Sequence, residues 1–135
     1  GSCLAGISFL KGLGFVHAIS HMVGAEYDTQ HGLTNAIVLP VVLRYNLPSL
    51  EKKRHQMADA LRLSDKTSDG FIGEIEATLD RLDIPKSLCE IGIPLDCASR
   101  IAEKAMLDSA ASTNPIKGDT STLKVLVEKS IKRAR

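Results

Sequence analysis

GFVHAISHMVGAEYDTQHG, residues 14–32, holds three of the four histidines in this 135-residue chain. His17 and His21 stand at positions i and i+4, the helical spacing that puts two side chains on one face. Gly14 falls about one turn before His17 and Gly24 about one turn after His21. Small residues on that face let another chain or a ligand come close. YDTQHG, 27–32, then reads as a turn that delivers His31 to the start of the next helix. A hairpin of two helices built this way brings all three imidazoles into one space.

Neutral imidazole is a good ligand for zinc, iron and related divalent ions. Spacing alone leaves two readings open, a metal site or packed, hydrogen-bonded histidines. A zincin-type H-E-x-x-H is excluded, because HAISH has Ala18 where the general-base glutamate belongs.

Working outward, LTNAIVLPVVLRYN, 33–46, is apolar and helix-length, with Pro40 inside it. Proline removes one backbone hydrogen bond and crowds the preceding turn, so a kink or break is expected there. Upstream, the stretch from Cys3 to Gly24 carries Lys11 as its only formally charged side chain. It is long enough to cross a bilayer, for which roughly 20 apolar residues suffice. A lysine and two histidines at bilayer depth are costly, however, and no basic segment precedes it as a signal peptide requires. A helix buried inside the protein, with no membrane span, is the expectation.

Downstream signals are also helical. Ser49 is a candidate cap for a helix with Leu50, Met57, Ala58 and Leu61 as its apolar stripe. SDKTSDG, 64–70, reads as a polar connector, and Phe71, Ile72, Ile75, Leu79 and Leu82 then recur at helical steps. Pro85 ends that helix, and CEIGIPLD reads as a loop with a short turn. Asp96 is a candidate cap for a helix carrying Ala98, Ile101, Ala102, Ala105 and Met106. SAASTNPIKGD breaks it, and Asp119 caps a last helix with Leu123, Leu126, Val127 and Ile131 inward. No strand alternation or internal repeat emerges, so the fold class is all-α, a single multi-helix domain.

With 17 basic and 16 acidic residues the net charge is +1, which lacks the electrostatic footprint of a nucleic-acid binder. The late basics Lys124, Lys129, Lys132, Arg133 and Arg135 suit the end of a helix, where they complement its dipole. Cys3, Cys89 and Cys97 show no C-x-x-C spacing, which points to a reducing, cytoplasmic setting rather than a disulfide framework. Cys89 and Cys97 read as small core residues, Tyr27 and Tyr45 as packing residues, and Asn35 as a helix-start or backbone contact.

GLGFVHAISHMVGAEYDTQHGLTNAIVLPVVLRYN, 12–46, resembles the signature of the iron-containing (group III) alcohol dehydrogenases. That signature runs G-x-x-H-A-x-x-H-x-x-G, then an aromatic, then H-G-x-x-N-A-x-x-L-P. Gly14, His17, Ala18, His21, Gly24, Tyr27, His31, Gly32, Asn35, Ala36, Leu39 and Pro40 fall in place. EIGIPLDCASRIAEKAMLDSAASTNPI, 90–116, resembles the family's closing helices, with Asn114-Pro115 in its N-P loop.

The resemblance implies that residues 1–135 are a C-terminal fragment of the helical, metal-binding domain, whose partner is the enzyme's own N-terminal nucleotide-binding domain. It implies a divalent metal, Fe2+ or alternatively Zn2+, with His17 and His31 as two of its ligands. It gives His21 the part of a catalytic proton carrier beside substrate and nicotinamide. The reaction it implies is hydride transfer between a small alcohol or aldehyde and NAD(P). The remaining ligands belong to a D-x-x-x-H helix, and neither that motif nor a glycine-rich phosphate loop occurs here. Glu51 and His55 are the nearest imitation, among charged residues of an expected surface helix. The nucleotide-binding domain is therefore expected to lie outside this chain, and the chain alone to be inactive. A glycerol dehydrogenase, a maleylacetate reductase and a non-catalytic helical interaction module remain as alternatives. Homo-oligomerisation is left open.

Overall fold

The computed structural model describes residues 1–132, with Ala5 described by its backbone alone. Arg133 and Arg135 lie outside the described residues. Within them the chain forms α1 (Ser2–Phe9), α2 (Gly14–Tyr27), α3 (His31–Asn46), α4 (Glu51–Ala60), α5 (Ser68–Arg81), α6 (Ala98–Leu107) and α7 (Thr120–Lys132). Short 3-10 turns at Leu47–Ser49, Cys89–Ile91, Leu95–Cys97 and Ser109–Thr113 join some of them, and no strand occurs among the described residues. The all-α expectation holds.

The main core follows the three- and four-residue apolar steps. Phe15, Ala18, Ile19 and Val23 of α2 pack with Ile37, Val38 and Val42 of α3, Ile101, Ala102 and Ala105 of α6, and Leu123, Leu126, Val127 and Ile131 of α7. Alanines on the inward face of α6 let it approach α7 closely, and this pair shares the most extensive contact in the fold. A smaller cluster, Leu47, Ala58, Phe71 and Ile72, seats α4 and α5 beside this core. α3 runs unbroken through Pro40, which is itself buried, because apolar neighbours Ile37, Val38, Val41 and Val42 hold the turns on either side.

Several local expectations are corrected. The segment from Cys3 to Gly24 is two helices meeting at 94°, not one buried helix. α2 is buried along one face, whereas Leu4, Ile7 and Phe9 of α1 are exposed. Among the described residues no single helix is long and apolar enough to cross a membrane. Ser49 does not cap α4; a 3-10 turn intervenes, and the Ser49 hydroxyl donates back to the Asn46 carbonyl at 2.9 Å.

In α4, Ala58 and Arg54 are buried and Met57 is exposed, as is Leu61 just after the helix. Leu82 follows the last residue of α5 and is exposed. Asp96 caps nothing, because the Leu95–Cys97 turn runs directly into α6. Cys97 is buried as expected, but Cys89 is exposed. Asp119 does cap α7, accepting the Thr122 N–H at 2.8 Å.

Candidate metal and proton-transfer site

The start of α2 carries no capping side chain of its own. Its first free N–H groups are instead met from the opposite end of the chain. Thr113 Oγ1 accepts from the Leu13 and Gly14 amides at 3.2 and 3.3 Å, and Asn114 Oδ1 accepts from Phe15 at 3.0 Å. Gly14 permits this approach: its φ of +69° is left-handed, and a Cβ there would stand 2.9 Å from Asn114 Oδ1. Gly24 admits no comparably close neighbour, since a Cβ there would be in ordinary contact with Thr29 at 3.7 Å. The close approach expected along this helix face is therefore made at Gly14 by a loop of the same chain.

Asn114 is more than the turn residue its sequence suggests. It is buried and exchanges two hydrogen bonds with the Asn46 amide, at 3.0 and 2.7 Å, while a third reaches the Ile116 carbonyl. Tyr45 closes the same corner, packing its ring 6.1 Å from Phe15 and donating its hydroxyl to the Lys117 carbonyl at 2.8 Å.

α2 then leaves its left-handed C-terminal residue Asp28 and the chain turns into α3, whose first turn is capped by Gln30. This hairpin brings His17, His21 and His31 together, with ring centroids 5.2 to 5.7 Å apart. Asn35, one turn into α3, joins two of the rings. Its Nδ2 lies 3.3 Å from His17 Nε2 and 3.0 Å from His31 Nε2, while its Oδ1 accepts from the buried Ser20 hydroxyl. Asn35 is thus a bridge between side chains rather than a helix-start or backbone contact.

Electrostatics separate the rings. His17 is pushed below the usual histidine pKa by burial first and then by His31 and His21, against the Leu13 carbonyl and Asp108, which favour the proton. No hydrogen bond of normal geometry reaches its buried Nδ1. His21 turns away from Asn35 and pairs through Nδ1 with Asp108 Oδ2 at 2.9 Å. Asp108 is held below the ordinary carboxylate pKa: burial works against ionisation, but the Ala110 N–H and His21 outweigh it.

With hydrogen on Nδ1, both rings turn an Nε2 lone pair toward the Asn35 amide, the kind of donor that a divalent ion accepts from neutral imidazole. Two imidazoles so placed are chemically compatible with holding a divalent ion. Among the described residues no group of three or more His, Cys, Asp or Glu side chains is arranged to hold an ion. Glu51 and His55 sit exposed on α4, with His55 Nε2 facing Arg54 at 3.2 Å. Separate neighbourhoods for His17 and His31 would have supported the interaction-module alternative; the two rings instead meet at Asn35.

Known proteins resemble this chain in sequence and in fold. The chain is 35% identical to 1,3-propanediol dehydrogenase of Citrobacter freundii over 128 residues, covering 87% of this chain and 32% of that protein. It is 30% identical to lactaldehyde reductase of Escherichia coli K12, covering 95% of this chain and 35% of the relative. The crystal structure of a 1,3-propanediol oxidoreductase superposes with a TM-score of 0.81 at 30% identity, over 87% of this chain and 32% of that one. An alcohol dehydrogenase from Oenococcus oeni gives 0.79 at 27% identity, with the same coverage. The chain thus spans about a third of the length of the relatives it matches. Residues 1–131 match the C-terminal region of the Fe-containing alcohol dehydrogenase family, and the chain belongs to that family.

Proposed function

We infer that this chain is a C-terminal helical part, on the metal-binding side, of an NAD(P)-dependent alcohol dehydrogenase acting on a small alcohol or aldehyde. The observation that carries this reading is the convergence of His17 and His31 Nε2 on the single Asn35 amide nitrogen. These two rings would hold a divalent ion, Fe2+ or Zn2+, together with the Asp and His of a D-x-x-x-H helix, a motif that residues 1–135 do not contain. When bound, the metal supplies Lewis-acid polarisation of the substrate oxygen during hydride exchange with the nicotinamide.

The chain's own residues do the rest. Burial lowers the pKa of His17, which favours the neutral form that a ligand takes. Ser20 orients the Asn35 amide, and that amide aims both rings. His21 stands beside the pair with its side chain 36% exposed, so it can pass the hydroxyl proton between the site and solvent. Three free cysteines suit a reducing, cytoplasmic setting.

The test is metal binding by the chain itself, read by Co2+ absorption and Zn2+ calorimetry. Binding is expected in the unaltered chain and lost in His17→Ala and in His31→Ala. Undiminished binding in both variants overturns the ligand assignment. NAD(P)-linked alcohol oxidation by the pure chain would overturn the division into two halves.

A further inference from the structure

Residues 108–114 grip α2 at two places. Thr113 and Asn114 hold its first turn, and Asp108 reaches His21 two turns further along. Asp108 is rigidly placed for this contact. It precedes the Ser109–Thr113 3-10 turn, and its Oδ1 accepts the Ala110 N–H at 2.7 Å, which leaves Oδ2 for His21 at 2.9 Å. Its side chain is only 14% exposed, so water competes poorly for that oxygen. The His21 ring lies stacked on His31 at 5.3 Å and edge-on to His17 at 5.7 Å. Its orientation therefore sets where any proton on it stands relative to the ligand pair.

A carboxylate has only lone pairs to offer, so the nitrogen facing it must carry hydrogen. We propose that Asp108 is a positioning residue that fixes His21 as the Nδ1–H tautomer, leaving Nε2 as the nitrogen that receives and releases the reaction's proton. This assignment rests on the proton-carrier reading of His21 given above and adds the group that selects the working nitrogen. The logic is that of a carboxylate holding an imidazole in one tautomer and one orientation so that the far nitrogen is free for chemistry.

The alternative role for Asp108 is purely structural, as the cap of the Ser109–Thr113 turn. Asp108→Asn separates the two. Its Oδ1 still caps Ala110, but its amide now offers hydrogen toward His21, which must accept at Nδ1 and carry its hydrogen on Nε2. The readout is the pair of ring 15N shifts of His21 in the metal-free chain at a pH where the ring is neutral. The unaltered chain is expected to show Nδ1–H, and Asp108→Asn to move the hydrogen to Nε2 with the melting temperature little changed.

An Nε2–H tautomer in the unaltered chain overturns the proposal, and that measurement needs no variant to fold. An Asp108→Asn chain that folds and keeps Nδ1–H also overturns it. Both measurements are made without metal or nicotinamide. A failure to bind metal or to join an active dehydrogenase would therefore count against the functional reading alone and leave the tautomer result standing.

Discussion

His17 and His31 sit on different helices and turn their Nε2 atoms on the same partner, Asn35 Nδ2, at 3.3 and 3.0 Å. The amide is neutral, so it orients the rings without drawing protons onto them. Asn35→Asp replaces that donor with a carboxylate, and a negative charge at this distance favours the imidazolium form. His17 is expected to titrate about one pH unit or more above its value in the unaltered chain. Histidine proton NMR shifts followed against pH provide the check; an unmoved His17 would show that Asn35 does not control the ring. The stability consequence has a definite sign. With its folded pKa below the ordinary 6.5, unaltered His17 takes up its proton more readily when unfolded, so its stabilising contribution is present above that pH and declines as pH falls below it. In Asn35→Asp this acid loss from His17 shrinks or reverses.

The histidine cluster was legible because its cause is local. An i, i+4 pair on one helix and a short polar turn to the next are sufficient to gather three rings. Asn35 and Asp108 were not, because their roles depend on what the fold brings opposite them. Asp108 lies 87 residues from His21 in sequence, in a loop whose composition says only that a helix ends. Caps were legible where the helix begins directly, as at Asp119, and misread at Ser49 and Asp96, where a 3-10 turn displaces the helix start. The apolar run from Cys3 misled for a related reason. Hydropathy reports what a segment is able to bury, whereas Leu4, Ile7 and Phe9 meet no covering surface among the described residues.

Asn46 and Asn114 form a buried reciprocal amide pair that also satisfies the Phe15 N–H. Asn114→Ala strands that N–H and the Asn46 amide away from water, at about 1–3 kcal/mol for each buried group left unmade. Urea unfolding is expected to show a loss of about 3 kcal/mol with the slope unchanged. Because both partners act as a unit, the double variant with Asn46→Ala should lose less than the sum of the singles. Strict additivity would mean that the pair is not coupled.

Glu26 ties α2 to α6 through Arg100 and Lys104. The Arg100 hydrogen bond, working against burial and aided by Lys104, holds its carboxyl at about 2 rather than 4.5. A depressed folded pKa means that this contribution is complete above pH 4.5 and is lost as pH falls from there through about 2. Melting temperatures of the unaltered chain and of Glu26→Gln should differ at pH 6 and converge toward pH 2. A constant gap across that range would show that the ion pairs do not set the acid limb.

Thr113 caps α2 from 100 residues away, which makes the helix start a tertiary feature rather than a local one. Thr113→Val keeps the side-chain shape and removes the oxygen that accepts from Leu13 and Gly14 and donates to the Ala110 carbonyl. The Phe15 amide stays bound to Asn114, so fraying should stop within the first turn. A lost cap costs about 1 kcal/mol. Amide hydrogen exchange gives the decisive reading: Leu13 and Gly14 are expected to exchange about five-fold faster, the rate factor that about 1 kcal/mol implies, while Phe15 and the amides around His17 are unchanged. Faster exchange spreading to His17 would mean that Thr113 supports the whole of α2, and with it the placement of the rings.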